Sequence, residues 1–242
     1  MNKKICKLAA ATLAVCAASA SLAAVWSSSA AYGSYTTGAF NFNNDVWGSG
    51  AGPQTIWVNS QSDWGVWSDQ PNTGGIKSYP HITYNVGKNI SALTKLTTSV
   101  TATTPSGGAW EATYDIWDVN NAYEIMLWMN YTGTSTGCGN VKPISYNWTS
   151  AGCAIPVYSN VSVGGSTWNI YRGSNGGNQV FSFLRTSKTN SANVDVLAIL
   201  NYLKNKGWMG DVKMGQLQYG FEITSSAGGM NYHAQNFSVT SY

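Results

Sequence analysis

Charge is scarce in this chain of 242 residues: Asp, Glu, Lys and Arg together make up 10% of it, against roughly 25% in an ordinary soluble domain. Glutamate occurs three times, as Glu111, Glu124 and Glu222, and histidine twice, as His81 and His233. With 43% hydrophobic residues, so little charge excludes a disordered chain and a charge-laced coiled coil. Two histidines without a Cys-x-x-Cys pair leave a zinc site little to build on, so no metal is expected. Three of the 13 Lys and Arg are Lys3, Lys4 and Lys7. The remaining ten balance ten Asp and Glu, so the body of the protein is neutral and a nucleic-acid partner has no electrostatic footprint.

The N-terminus has the form of a secretory signal peptide over residues 1–24: a basic start, an apolar Ala-rich run from Leu8 to Ala24, and small residues at Ala18-Ser19-Ala20 and Leu22-Ala23-Ala24. Cleavage is expected between 20 and 31, leaving one domain over 32–242. A membrane anchor is the alternative for the same run, which Thr12 and Ser19 interrupt; the mature form is expected to have no membrane contact. Secretion leaves Cys138 and Cys153, which are expected to pair as a disulfide in an oxidising compartment. The sequons at Asn130 and Asn147 would attract glycans in a eukaryotic route, and Asn130 lies on the expected groove face, so a bacterial source is expected.

What the chain has in abundance is aromatic residues and glycine: 11 Trp, 14 Tyr and 26 Gly. Glycine pairs recur between runs rich in Thr, Val, Tyr and Trp, the pattern of an antiparallel sandwich or jelly roll. One helix is expected: Asn193 as N-cap, Asp195 in the first turn, and a stripe of Val196, Ile199, Leu200 and Leu203 ending before Gly207.

Side chains of a strand alternate between faces, so parity sorts core from surface. Over 123–131, Tyr123, Ile125, Leu127 and Met129 form one face and Glu124, Met126, Trp128 and Asn130 the other. Over 110–117 the even positions are apolar and the odd ones are Glu111, Thr113, Asp115 and Trp117. Over 218–224, Tyr219, Phe221 and Ile223 oppose Gly220, Glu222 and Thr224. Three strands thus carry acids on the face away from the core, two of them with tryptophan. Aromatic platforms can stack on the apolar face of a sugar ring, and two carboxyls across such a groove are what glycoside hydrolysis needs. A solvated sheet face decorated with acids is the plainer alternative.

Tyr123-Glu124-Ile125-Met126-Leu127-Trp128 resembles the nucleophile strand of glycoside hydrolase family 12, the endo-β-1,4-glucanases and xyloglucanases with a β-jelly-roll fold. Gly220-Phe221-Glu222-Ile223 is similar to the family's acid/base segment. Weaker matches at Trp47-Gly48, Lys77-Ser78-Tyr79-Pro80, Tyr114-Asp115-Ile116-Trp117 and Val163-Gly164-Gly165 follow in the family's order. The resemblance implies an all-β jelly-roll sandwich of two antiparallel sheets with a concave cleft and one α-helix. It implies Glu124 as nucleophile, Glu222 as general acid/base and Asp115 as support for the nucleophile. Trp47, Met126, Trp128 and Trp117 are implied to bind substrate, with no cofactor. Retention places such carboxyls about 5–5.5 Å apart, with one ionised and one protonated.

The implied activity is a secreted endo-β-1,4-glucanase acting on cellulose-like β-glucan, expected to be monomeric. Xyloglucan-specific endoglucanase, xylanase and a non-catalytic carbohydrate-binding module are alternatives, and a structural surface sandwich is a further one. The sequence departs from the family at Thr224, where an aromatic is common nearby, and at Glu111, where asparagine is common. It departs again in the stretch holding Cys138, Pro143 and Cys153, which is longer than expected and is placed over one end of the cleft.

Overall fold

A computed structural model describes residues 24–242. The signal-peptide reading, apart from Ala24, lies outside the described residues. Fifteen strands run in chain order. They begin with Trp26–Ser28 (β1), Ser34–Thr37 (β2), Phe40–Asn43 (β3), Gln54–Ser60 (β4), Asp63–Ser68 (β5) and His81–Asn85 (β6). Leu96–Thr103 (β7), Ala109–Asp118 (β8), Tyr123–Tyr131 (β9), Tyr158–Val163 (β10) and Ser166–Ser174 (β11) follow. Gln179–Arg185 (β12) and Ser191–Asp195 (β13) precede the helix Val196–Asn205 (α1), and Met214–Ser225 (β14) and Met230–Ser241 (β15) close the chain.

The strands form two sheets. Six lie in the order β1-β4-β5-β15-β7-β13 and nine in the order β10-β11-β12-β9-β8-β14-β6-β3-β2. The two inner faces enclose the core, where Phe42, Trp64, Trp168, Phe181, Phe183, Phe221 and the rest of one cluster are shut off from solvent. Fully burying a large apolar side chain contributes roughly 1.5–3 kcal/mol, and this cluster holds the sheets together. The alternation read over 110–117, 123–129 and 218–224 is observed: the apolar set of each strand enters the core. No helix among the described residues is long and apolar enough to cross a membrane.

Four details differ from the sequence expectation. Pairing is not antiparallel throughout: β12 runs parallel to β9, from Gln179 beside Tyr123 to Leu184 beside Trp128. The chain leaves β9, makes the disulfide-bearing segment and the β10–β11 hairpin, and returns alongside β9 in its own direction, so a long crossover replaces a tight turn. The helix N-cap is Asp195, whose side chain accepts from the Ala198 amide at 3.0 Å. Asn193 is drawn into β13 by its pairing with Ser99 on β7. A bulge shifts the register between β8 and β9 at Ala112/Thr113, turning Asn130 off the groove face and onto Asn190 and Thr104, while Tyr131 takes its place. The folded domain also begins before residue 32, because Trp26–Ser28 pairs with β4.

Candidate active site

The nine-stranded sheet positions the site. β9, β8 and β14 are consecutive neighbours near its centre, and each turns its polar set away from the core. Glu124 comes from β9, Asp115 from β8 and Glu222 from β14, so the aspartate occupies the strand between the two glutamates. All three line one cavity of about 680 Å³ together with Trp47, Trp117, Met126 and Trp128. The seven site residues implied by the resemblance are therefore brought to one place.

The aromatic residues occupy it differently. Trp47 is 46% exposed and stands open at the rim. Trp117 is half-buried beside Glu124, its register partner across β8 and β9. Trp128 and Met126 are 2% and 4% exposed, packed with Tyr131, Tyr171 and Leu184 in a second apolar cluster. They form wall and floor, whereas Trp47 presents a free ring.

Trp47 is held from beneath. Its amide and that of Gly48 donate to the Lys77 carbonyl at 3.1 and 2.9 Å, and the buried Lys77 ammonium donates to the carbonyls of Ser49 and Gly74 at 2.8 and 2.7 Å. Gly48 is required there: a Cβ would come within 2.2 Å of the Ile76 carbonyl oxygen. The short Lys77-Ser78 match thus has a structural meaning, as the brace of the tryptophan loop.

Glu124 is buried, and burial is the largest influence on its carboxyl, pushing it up to about 7. Asn178 opposes this by donating to Oε2 at 2.8 Å, and Asn175 donates to the same oxygen at 3.2 Å; the charge of Glu222 acts upward. Burial also raises Glu222, offset by a hydrogen bond from Glu111. Asp115 is held well above the usual carboxylate range by burial and by its two glutamate neighbours, and its Oδ1 is buried without a hydrogen-bond partner. The two bonds donated by neutral amides favour the anion of Glu124, whereas burial and the neighbouring glutamates favour the neutral form of Asp115.

Reasoning from sequence missed several participants. Asn175 and Asn178 bracket Gly176-Gly177 in the β11–β12 turn; the paired glycines signalled the turn, but the flanking asparagines carried no signal of their contact with Glu124. Tyr79, His81 and Asp45 also line the cavity. Asp45 has a φ of 44°, the left-handed region, and burial raises its carboxyl to about 6. Burial lowers His81 to about 4, so this imidazole is neutral near pH 7, with Nδ1 donating to the Tyr79 carbonyl at 2.6 Å.

Cys138 and Cys153 are bonded, with Cα atoms 4.6 Å apart. The segment they close sends Lys142 and Ile144 to the cavity, so it overhangs one end of the cleft. Glu111 does not face solvent. It is 2% exposed and stands in register opposite Glu222. No group of three or more His, Cys, Asp or Glu among the described residues is disposed to hold a metal ion.

Comparison with known proteins agrees with this geometry. The model of Glycosyl hydrolase family 12 matches residues 26–241. Endoglucanase S of Pectobacterium parmentieri is 31% identical over 217 residues, 76% of each chain. The xyloglucan-specific endo-beta-1,4-glucanase A of Emericella nidulans is 29% identical, over 85% of this chain and 87% of that protein. Among solved structures, the xyloglucanase domain of NopAA, a type three effector from Sinorhizobium fredii, in complex with cellobiose, is 57% identical with a TM-score of 0.89, covering 90% of this chain and 99% of that one. A family 12 xyloglucanase from Bacillus licheniformis is 28% identical with a TM-score of 0.73, over 90% and 100%.

Proposed function

The chain belongs to glycosyl hydrolase family 12, and from that membership and its cleft we propose that it is a secreted, retaining endo-β-1,4-glucanase whose preferred polymer is xyloglucan. The observation that carries the mechanism is the placement of Glu124 and Glu222 in one cavity, on strands either side of the Asp115 strand, beneath an open tryptophan. A binding module has use for the tryptophan but none for two opposed carboxyls.

Glu124, as carboxylate, attacks the anomeric carbon of a sugar held in the cleft. The glycosidic C–O bond breaks, and Glu222 gives its proton to the departing oxygen. Glycosylation removes the charge of Glu124, which weakens the hold of Glu222 on a proton. Glu222 then takes a proton from water as that water attacks the anomeric carbon, and Glu124 leaves as carboxylate with configuration retained. Asp115 acts through Glu124 as a neutral neighbour. Trp47 stacks a sugar at the rim, and Trp117, Met126 and Trp128 shape the bed near the scissile bond.

For the polymer, identity of 57% to a xyloglucanase domain supports xyloglucan ahead of the cellulose-like glucans placed first on sequence grounds. An unbranched β-glucan remains the second reading, favoured by the relative named Endoglucanase S. Pairing of Trp26–Ser28 with β4 supports a signal cut before Trp26, and the mature enzyme works as a monomer.

The test is reducing-end release by the mature protein on xyloglucan, barley β-glucan, carboxymethyl cellulose and xylan, beside Glu124→Gln and Glu222→Gln, with the first-formed anomer read by NMR. Activity greatest on xyloglucan, a retained anomer and a loss of several orders of magnitude in both variants are expected. Binding without release, unchanged by either substitution, would overturn the enzymatic roles. Greater activity on unbranched glucan would overturn the polymer.

A further inference from the structure

Glu111 takes no part in the mechanism above, yet it is one of three glutamates in the chain and is among the most deeply buried charged residues of the sheet. It stands directly opposite Glu222 in the β8–β14 register, and each carboxyl is close enough to shift the other. Directly opposed side chains of an antiparallel pair have Cβ atoms about 4.5–5.5 Å apart. Carboxyls brought together in this way disfavour each other's charge, and most strongly where both are buried.

The surroundings do not relieve the repulsion. The three ion pairs among the described residues involve Asp45, Asp63 and Asp211, not Glu111. From β8 itself the titratable neighbour is Asp115; from β9 they are Glu124 and Tyr131, the latter donating its hydroxyl to the Arg185 carbonyl. From the β6 side they are Tyr79 and His81, with Asp45 beyond. Lys188 spends its ammonium on the carbonyls of Tyr131 and Gly133, and Lys142 lies at the cavity wall. The pair therefore favours keeping one proton between Glu111 and Glu222. Glu222 lines the open cavity and is partly exposed, whereas Glu111 sits behind it, so water solvates charge on Glu222 and not on Glu111.

We propose that Glu111 is a positioning residue for the acid/base: it remains a neutral carboxylic acid and donates a hydrogen bond to Glu222 whenever Glu222 is ionised. This rests on the reading of Glu222 as acid/base. The donated bond favours the anion that Glu222 becomes in the first step and uses as base in the second. It thereby keeps a buried carboxyl from binding its proton too tightly to release. The upward shift of Glu111, caused first by burial and then by the charge of Glu222, has the same direction.

With three glutamates in the whole chain, selective 13C labelling of glutamate carboxyls gives three NMR signals, assignable with Glu111→Gln, Glu124→Gln and Glu222→Gln. In the wild-type mature protein the Glu111 signal is expected to stay at the protonated position while Glu222 titrates. Glu111→Gln keeps a donor and should leave the Glu222 midpoint within half a pH unit. Glu111→Leu removes it and should raise that midpoint, and with it the basic limb of kcat/KM on xyloglucan, by about one to two pH units. Ionisation of Glu111 below the Glu222 midpoint would overturn the proposal, as would a fall of the Glu222 midpoint in Glu111→Gln. If Glu111→Leu does not fold, the wild-type and Glu111→Gln titrations decide alone. Undiminished activity of Glu222→Gln would overturn the acid/base reading instead, and the titrations separate the two failures.

Discussion

Asn178 donates to Glu124 Oε2 at 2.8 Å from a turn that belongs to a different hairpin. The parallel pairing of β12 with β9 makes this contact possible: it sets Gln179 beside Tyr123 and so brings the β11–β12 turn over the start of the Glu124 strand. The site depends on a crossover as well as on its own three strands.

Removing that donor leaves the buried Glu124 anion with Asn175 alone. A hydrogen bond to the charged form lowers a carboxyl, so its loss raises Glu124 above its position of about 7. Glu124 must be ionised to attack, and the acid limb of kcat/KM therefore moves to higher pH in Asn178→Ala, by about one unit. Activity at pH 6 should fall several-fold more than activity at pH 8. A uniform loss across pH would mean that Asn178 only shapes the turn.

Lys77 offers a separation of binding from chemistry. Lys77→Met preserves most of the buried stem but strips the donor from the Ser49 and Gly74 carbonyls. Hydrogen bonds from a charged group contribute roughly 1.5–3 kcal/mol each, so thermal stability should fall clearly. The braced loop carries Trp47, so KM on polymer should rise several-fold while kcat stays within about twofold. Loss confined to kcat would contradict the assignment of Trp47 to substrate binding.

Strand parity made most of this site legible. Glu124, Asp115 and Glu222 emerged from alternation within single strands, since each such face is fixed by the core residues between the acids. The same rule failed at Asn130, because one extra residue in a bulge reverses every later parity and leaves no mark in composition. It was also silent on Asn175, Asn178 and Lys77, whose roles depend on which loops meet, a matter of strand order and not of local pattern. Glu111 was visible as an acid on the groove side of β8, but its partner was not, because register across β8 and β14 joins residues 111 positions apart. The helix stripe was read correctly and its cap was not: β13 runs on through Asp195, so the helix starts at Val196 and Asp195, not Asn193, stands at its N-terminus.

The disulfide makes a prediction in two parts. Closing a loop of fifteen residues is worth about 3 kcal/mol through the entropy of the unfolded chain. Cys138→Ser with Cys153→Ser should lower unfolding free energy by about that amount in denaturant titration. Because Lys142 and Ile144 reach the cavity from within this loop, the ratio of activity on xyloglucan to activity on carboxymethyl cellulose should also change by several-fold. A stability loss with an unaltered ratio would make the bridge a staple with no part in substrate choice.

His81 and Asp45 pull the pH dependence of stability in opposite directions. Burial holds His81 at about 4 against 6.5, so the unfolded chain binds its proton first as pH falls, and stability drops between about 6.5 and 4. Asp45 is raised to about 6 from 3.8, so the folded protein holds that proton longer, and stability drops as pH rises through about 4 to 6. The two nearly cancel in the wild-type curve, with the Asp45 contribution reduced by its partial exposure to water. Substitution exposes them separately. His81→Asn should grow more stable relative to wild type by about 1.4 kcal/mol for each unit of pH lowered within its window, whereas Asp45→Asn should gain on wild type as pH rises. Denaturant unfolding of the three proteins at pH 4, 5, 6 and 7 measures both slopes, and parallel curves would mean that neither group titrates differently in the folded and unfolded chain.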